Sequence, residues 1–282
     1  MLTIGRFRGS PRRVAIQLGA AAAACAISCT AQAQTNLITN GSFAALTLTS
    51  GGGAANYSAE FGTSNNGFTP TVQITGWTTA GYNFVFLPNT ADTSGATGQY
   101  GALHLWGPNG GTGSSTYSNN GFTPTASPTG GNFIGADSAY EVSPISTTVN
   151  GLTPNKVVAI SFAWAGAQQS GFSRATTEKW TVALTDGTAT TTHTTQVISV
   201  VNHGFSGWLQ STFYFLPTST SETLSFLATG TPSGVPPFAL LANVSAVTVP
   251  EPTGLALMLS GLIGLVGAAR FYRRGPARTV RR

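Results

Sequence analysis

Apolar residues recur at every second position in several short stretches of this chain, and this period constrains the fold more than any other feature. In the clearest stretch, Val158, Ile160, Phe162 and Trp164 share one face. Such alternation is typical of a β-strand with one buried side. Further candidate strands cover 72–77, 82–87, 100–106, 145–149, 180–184, 196–201, 208–215, 224–226 and 238–244. With no convincing amphipathic helix between them, these strands predict an all-β fold, an antiparallel sandwich or barrel.

The first 33 residues are typical of a secretory signal peptide. Four arginines precede an alanine-rich apolar run over 14–27, and Ala31 and Ala33 then form the small-x-small pattern that signal peptidase accepts. We expect cleavage after Ala33. Twin-arginine export, a lipoprotein and a retained membrane helix fit these residues less well. Both cysteines, Cys25 and Cys29, lie in this segment, so the mature chain is expected to form no disulfide.

The C-terminal part has three segments in a strict order. Residues Pro250, Glu251 and Pro252 come first, an uncharged apolar stretch over 253–269 follows, and a basic tail over 270–282 comes last. Seventeen helical residues span about 26 Å, enough for a bilayer core. The tail includes Arg270, Arg273 and Arg274, which should stay in the cytoplasm and stop transfer. The preceding domain is then expected outside the cell.

This three-part end resembles the PEP-CTERM sorting signal of Gram-negative bacteria. The resemblance covers 249–282 and includes the motif, the helix and the tail in order. It implies that an exosortase recognises the Pro-Glu-Pro motif and processes the tail. It also implies a transient inner-membrane anchor, followed by delivery to the cell surface or extracellular matrix. A plain membrane anchor with a proline spacer is the alternative.

The charges outside the two ends argue against nucleic acid as a partner. Ten of the thirteen basic residues lie in the first 13 and last 13 positions. Residues 34–248 hold only three basic residues, Lys156, Arg174 and Lys179, against seven acidic ones. No basic patch remains there for a phosphate backbone.

The predicted ectodomain, residues 34–248, also resembles galactose-binding-like jelly rolls. Its opening stretch 36–43 is similar to their first strand, the Gly76-Trp77 pair to their second landmark, and the stretch 238–247 to their final strand. The resemblance implies a jelly-roll sandwich. Related final strands often carry acidic residues where Leu241 and Ala242 stand here, so it does not imply a calcium-linked role at that place.

An exact octapeptide occurs twice, at 64–71 and at 118–125. Asn-Gly followed by Phe-Thr-Pro is typical of a turn with one apolar anchor. Two similar surface loops are the simplest interpretation, and a shared ligand role is the alternative.

We find no pattern that predicts a catalytic residue, a metal site or a cofactor. Asp137 and Glu141 are four apart in loop-like sequence, which is weak support for a paired-carboxylate glycosidase. His193 and His203 lack zinc spacing, and His104 alternates with leucines as a solvent-facing strand residue does. Ser206 lacks the Gly-x-Ser-x-Gly spacing of a nucleophile elbow.

Binding has better support in the composition, because aromatic, amide and hydroxyl side chains are plentiful. Trp106, at a predicted strand end, is the best candidate platform for a sugar ring, with Tyr117 in the following loop. Trp77, Trp164, Trp180 and Trp208 fit core positions better. Two function classes follow: a non-catalytic surface or matrix protein that binds polysaccharide or adheres, and a secreted hydrolase with an unrecognised site.

Overall fold

The computed structural model describes residues 34–50, 59–62, 71–88, 103, 105, 106, 127–250 and 265. Residues 1–34 and 35–282 separate into two units, and of the first unit only Gln34 is described. The architecture below is that of the second unit. The predicted signal-peptide residues Ala31 and Ala33 lie outside the described residues. So do Glu251, Pro252, Arg270, Arg273 and Arg274.

Two β-sheets face each other in a sandwich. The eight-stranded sheet has the order β1 (Leu46–Ser50), β3 (Thr71–Ile74), β2 (Ala59–Phe61), β5 (Asn83–Phe86), β6 (Phe133–Asp137), β14 (Pro237–Thr248), β8 (Val158–Gln168) and β12 (Leu209–Phe215). The six-stranded sheet has the order β10 (Thr190–Thr194), β9 (Thr176–Thr185), β13 (Ser221–Thr231), β7 (Ile145–Asn150) and β4 (Trp77–Thr78), with β11 (Ile198–Val200) also paired to β9. The predicted all-β sandwich is therefore confirmed.

Two details of the sandwich correct the sequence prediction. β2 and β3 pair in parallel, whereas the other neighbouring strands of the described chain are antiparallel. The predicted opening strand over 36–43 is instead an irregular segment with a turn. Asn40 adopts a left-handed backbone conformation there, and its side chain hydrogen-bonds the backbone of Ala45 and Thr75. These bonds replace the ladder bonds of a strand.

The main core lies between the two sheets and is rich in aromatic side chains. Phe226 of the six-stranded sheet packs edge-to-face against Phe162 and Trp180, with centroids 5.1 Å and 6.2 Å away. The indole N–H of Trp180 donates to the carbonyl of Leu240 across the sandwich at 3.0 Å. The predicted core positions of Trp77, Trp164 and Trp180 are confirmed, while Trp208 is only partly buried.

A second apolar cluster covers much of the outer face of the eight-stranded sheet. The sheet contributes the buried rings of Phe84, Phe86, Phe133 and Phe238, among others. Leu103, Leu105 and Phe205, which lie outside the strands, complete the cluster. The central strands β5, β6 and β8 and the first half of β14 are therefore buried on both faces, as strands of parallel sheets are, whereas β12 keeps one exposed face.

No helix among the described residues is long and apolar enough to cross a membrane. The stretch predicted to span it, 253–269, is described only at Leu265. Of the repeated octapeptide, only Thr71, the last residue of the first copy, is described.

Candidate functional site

Polar and aromatic side chains gather at one end of the eight-stranded sheet. β5 and β14 begin at this end, while β6 and β8 finish there, because neighbouring strands run antiparallel. The residues at these strand ends and just beyond them include Tyr82, Asp137 and Gln169, which are far apart in sequence but close together here. We call this region the polar end.

Asp137 is anchored at the polar end by backbone hydrogen bonds. Its carboxyl Oδ1 accepts the N–H of Ala139 at 2.8 Å and the N–H of Tyr140 at 3.1 Å. Its own N–H donates to the carbonyl of Tyr82 at 3.0 Å. Burial raises the pKa of Asp137 to about 6, although the two N–H donors oppose the rise. The carboxyl is thus held in one orientation.

Two tyrosines stand beside this carboxyl. Tyr82 is buried, and burial together with the Asp137 charge raises the pKa of its hydroxyl, which the side chain of Gln169 also contacts. Tyr140 packs its ring against Tyr82 with centroids 5.5 Å apart and an interplanar angle of 82°. Yet Tyr140 remains 54% exposed. The polar end therefore presents an exposed ring supported by a buried one.

Trp106 joins the polar end through β8. Its backbone N–H donates to the carbonyl of Gln168 at 2.9 Å, and its indole N–H donates to the carbonyl of Phe172 at 2.6 Å. Its ring lies 4.0 Å from the His203 ring, centroid to centroid, and the residue is only 6% exposed. One face of the predicted platform is therefore covered by His203. Its contact with a ligand stays a prediction, and Tyr117 lies outside the described residues.

His203 also contacts a serine that the sequence did not single out. Its Nε2 lies 2.7 Å from the Ser173 hydroxyl, and its backbone N–H donates to the side-chain oxygen of Gln168 at 2.9 Å. Burial lowers the pKa of the His203 ring. A serine hydroxyl next to a neutral imidazole is the arrangement in which the imidazole can accept the hydroxyl proton and activate the serine as a nucleophile. No spacing signal could have found this pair, since thirty residues separate them.

A carboxyl lies inside the sandwich near the same end. Glu178 of β9 is fully buried, and neither of its oxygens meets a partner at hydrogen-bonding geometry among the described residues. It faces β8 where Gly166 leaves room, since a Cβ at Gly166 would lie 2.6 Å from Glu178 Oε2. Burial raises the pKa of Glu178 to about 8, and the Thr176 hydroxyl has a smaller, opposite effect on this pKa. Glu178 is therefore neutral when the protein is folded at neutral pH.

The other sequence candidates lie elsewhere or have structural contacts. His193 is on β10, where its Nε2 contacts the carbonyl of Tyr214 at 3.2 Å and its ring stacks on Phe213. The Ser206 hydroxyl accepts the N–H of Gly166. Glu141 follows β6 in a left-handed conformation, and His104 lies outside the described residues. Within the described ranges, no group of three or more His, Cys, Asp or Glu side chains could hold a metal ion.

No protein-family model and no curated protein matches this chain. Several solved structures are similar to it. The xylan-binding CBM22-1 domain of Paenibacillus barcinonensis Xyn10C is 16% identical, with a TM-score of 0.34, over 72% of this chain and 99% of its own. TmCBM61 in complex with beta-1,4-galactotriose is 12% identical, with a TM-score of 0.32, over 62% of this chain and 90% of its own.

The arabinose-bound α-L-arabinofuranosidase MgGH51 is also similar, at 12% identity and a TM-score of 0.35. It is matched over 75% of this chain but only 26% of its own length. Identities and TM-scores are low throughout, so the two-sheet fold rests on the strand pairing and the site rests on the side-chain contacts described above.

We predict that stability falls as pH rises through the range between the two pKa values of Glu178. The folded pKa, about 8, lies above the ordinary value of 4.5, so the stabilising contribution is complete below pH 4.5 and is lost as pH rises toward 8. Between pH 6.5 and 8, above the Asp137 transition, urea unfolding should show a loss of about 1 kcal/mol per pH unit.

Glu178→Gln is the matched variant, because the amide has the same shape and no charge. Its free energy of unfolding should change little between pH 6.5 and 8, and at pH 8 it should equal or exceed that of the wild type. An equal slope in both proteins would mean that Glu178 ionises freely in the folded state.

Proposed function

We propose that this chain is an exported surface or matrix protein whose sandwich binds polysaccharide and does not turn it over. The observation that carries the proposal is Tyr140, half exposed, supported by Tyr82 and placed beside the fixed carboxyl of Asp137. For the fold family we propose the galactose-binding-like jelly roll, on the landmarks at 76–77 and 238–247, which lie at β4 and on β14.

The chemistry of the polar end suits a sugar. An exposed aromatic ring offers an apolar face to the C–H surface of a pyranose, and packing on Tyr82 means that little side-chain entropy is lost on binding. Amide and carboxyl groups nearby can orient the hydroxyl groups, as in ligand sites that combine aromatic lining with a few placed polar groups. The carboxyl of Asp137 is held by two backbone donors. A carboxyl fixed in this way is better suited to orienting a hydroxyl group of the ligand than to transferring a proton.

We predict that Tyr140→Ala weakens binding of soluble oligosaccharides from the host's own exopolysaccharide about tenfold, or about 1.4 kcal/mol. The measurement is isothermal titration with the full chain. Tyr214→Ala is the matched control, because Tyr214 is similarly exposed, at 61%, but lies on β12 away from the polar end. Equal affinities for wild type and Tyr140→Ala would remove Tyr140 from the binding site.

For export, the proposal includes removal of residues 1–33 by signal peptidase and recognition of Pro250, Glu251 and Pro252 by an exosortase. The support is the order of motif, apolar stretch and basic tail. The position of the motif agrees with it, since β14 ends at Thr248 and Pro250 is exposed two residues later. A protease needs an accessible, extended segment, and the two prolines disfavour helix there.

Replacing Pro250, Glu251 and Pro252 by alanine should leave an uncleaved, membrane-retained form in the native host. Immunoblots of membrane and medium fractions measure this, and Thr253→Ala serves as the control that preserves the motif. If the triple variant is released at the wild-type rate, the motif is not a recognition signal and the prolines serve only as a spacer.

A secreted hydrolase is the second candidate, and the 2.7 Å contact between Ser173 and His203 favours it. A serine acyl transferase or esterase would use Ser173 as nucleophile and His203 as base. We predict that the wild-type chain releases no reducing sugar from the exopolysaccharide and no alcohol from a chromogenic acetate ester. Turnover that Ser173→Ala abolishes and Ser199→Ala on β11 retains would replace the binding proposal by the hydrolase.

A further inference from the structure

The outer face of the six-stranded sheet differs from every other face of the sandwich. Alternation along β9 and β13 buries every second residue and turns the rest outward. Those outward residues on the described strands of this sheet are threonine or serine at all but four positions, which are Lys179, Ala183, Leu227 and Asn150. We call this surface the hydroxyl face.

The hydroxyl groups are arranged in rows across the strands. The pairing register places Thr190 of β10, Thr185 of β9, Thr223 of β13 and Thr148 of β7 in one line. Within this line, the Thr190 hydroxyl donates to the Thr185 hydroxyl at 2.9 Å. Cross-strand hydrogen bonds of this kind hold the side chains in place and add modest stability. The face thus presents fixed methyl and hydroxyl groups at the spacing of the strands.

The face carries almost no charge and is open. Lys179 is the one charged residue that points outward from the described strands of the six-stranded sheet. Thr148, Thr190 and Thr223 are exposed to solvent. The outer face of the eight-stranded sheet is, by contrast, largely covered by the second apolar cluster. An anionic partner would need a basic patch, and the core of a protein interface is typically rich in aromatic residues and arginine. Neither is present on this face.

The size of the face suits an extended ligand. Five strands about 4.8 Å apart, with a usable length near 30 Å along β13, present on the order of 600 Å². That is close to the roughly 800 Å² that each partner contributes to a standard interface. Single hydroxyl contacts are weak, because they replace contacts with water. Useful retention therefore requires a ligand that repeats its hydroxyl groups over the whole area.

We propose that the hydroxyl face binds the surface of an uncharged, ordered polysaccharide. It would be a second binding surface in addition to the one proposed at the polar end. This inference rests on the proposed function and names its ligand class: a neutral polysaccharide in its insoluble, packed form. The repeated hydroxyl groups of such a surface match the hydroxyl rows, and its neutral charge matches a face with one lysine.

The test is depletion of the full chain from solution by the insoluble neutral fraction of the host's exopolysaccharide, separated from acidic material by anion exchange. Thr223→Glu places a charge on β13, the middle strand of the face, and should reduce retention at least fivefold. Thr212→Glu is the matched control on β12, because Thr212 is exposed on the other sheet, and it should bind like the wild type. Wild-type retention should be the same at low and high salt.

Thermal unfolding checks that Thr223→Glu is folded, and Thr148→Glu on the neighbouring strand replaces it if it is not. Wild-type retention by the folded charged variant overturns the inference, and so does retention on the acidic fraction alone. A dimer in sedimentation that Thr223→Glu dissociates would assign the face to a second copy of the chain. Tyr140→Ala should bind soluble oligosaccharides about tenfold more weakly but keep its retention on the insoluble fraction, so the two proposals can fail separately.

Discussion

The pairing of β14 with β8 is the interaction on which the rest of the structure depends. These two strands are the longest of the eight-stranded sheet, and they pair from Pro237 with Gln168 to Thr248 with Val158. Each sends one set of side chains into the sandwich and the other into the second apolar cluster. The ends of the same two strands then hold Gln168, Gln169 and Pro237 at the polar end. Both cores and the candidate site therefore depend on one strand pair.

An irregularity in that pair accounts for the form of the N-terminal segment. The register shifts between Ala242 and Ser245, and Asn243 takes a left-handed conformation at the bulge. The N–H of Val244 donates to the carbonyl of Gly41, whose missing side chain allows the two backbones to approach closely. The turn at 39–42 is thus hydrogen-bonded to a bulge that lies about two hundred residues further along the chain.

Local patterns predicted most of the strands that bury one apolar face, whereas β1, β2, β6 and β10 were not predicted. The stretch 158–164 is part of β8, and Trp77, Trp164 and Trp180 are core residues as predicted, whereas Trp208 is only partly buried. β10 was missed because its five residues are four threonines and a histidine, with no apolar alternation to detect. The stretch 36–43 was expected to be a strand from its similarity to the first strand of galactose-binding-like jelly rolls, but a turn occupies 39–42.

The candidate site was only partly predictable for a related reason. Trp106, Asp137, Glu141 and His203 are candidates that the sequence offers, yet no sequence spacing could bring Tyr82 to Gln169 or Ser173 to His203. Those contacts arise because antiparallel strands return their ends to one place. The second apolar cluster was equally hidden, since alanines 163, 165 and 167 of β8 resemble solvent-facing positions until another segment covers them.

The central position of β14 has a mechanical consequence. β14 is the last strand of the described chain, and it has hydrogen-bonded neighbours on both sides, β6 and β8. A pull along the strand from that end loads these bonds in shear, so many of them must break together. An edge strand would instead peel away one bond at a time. A force applied from the C-terminal side of this domain therefore acts on a central strand and not on an edge strand.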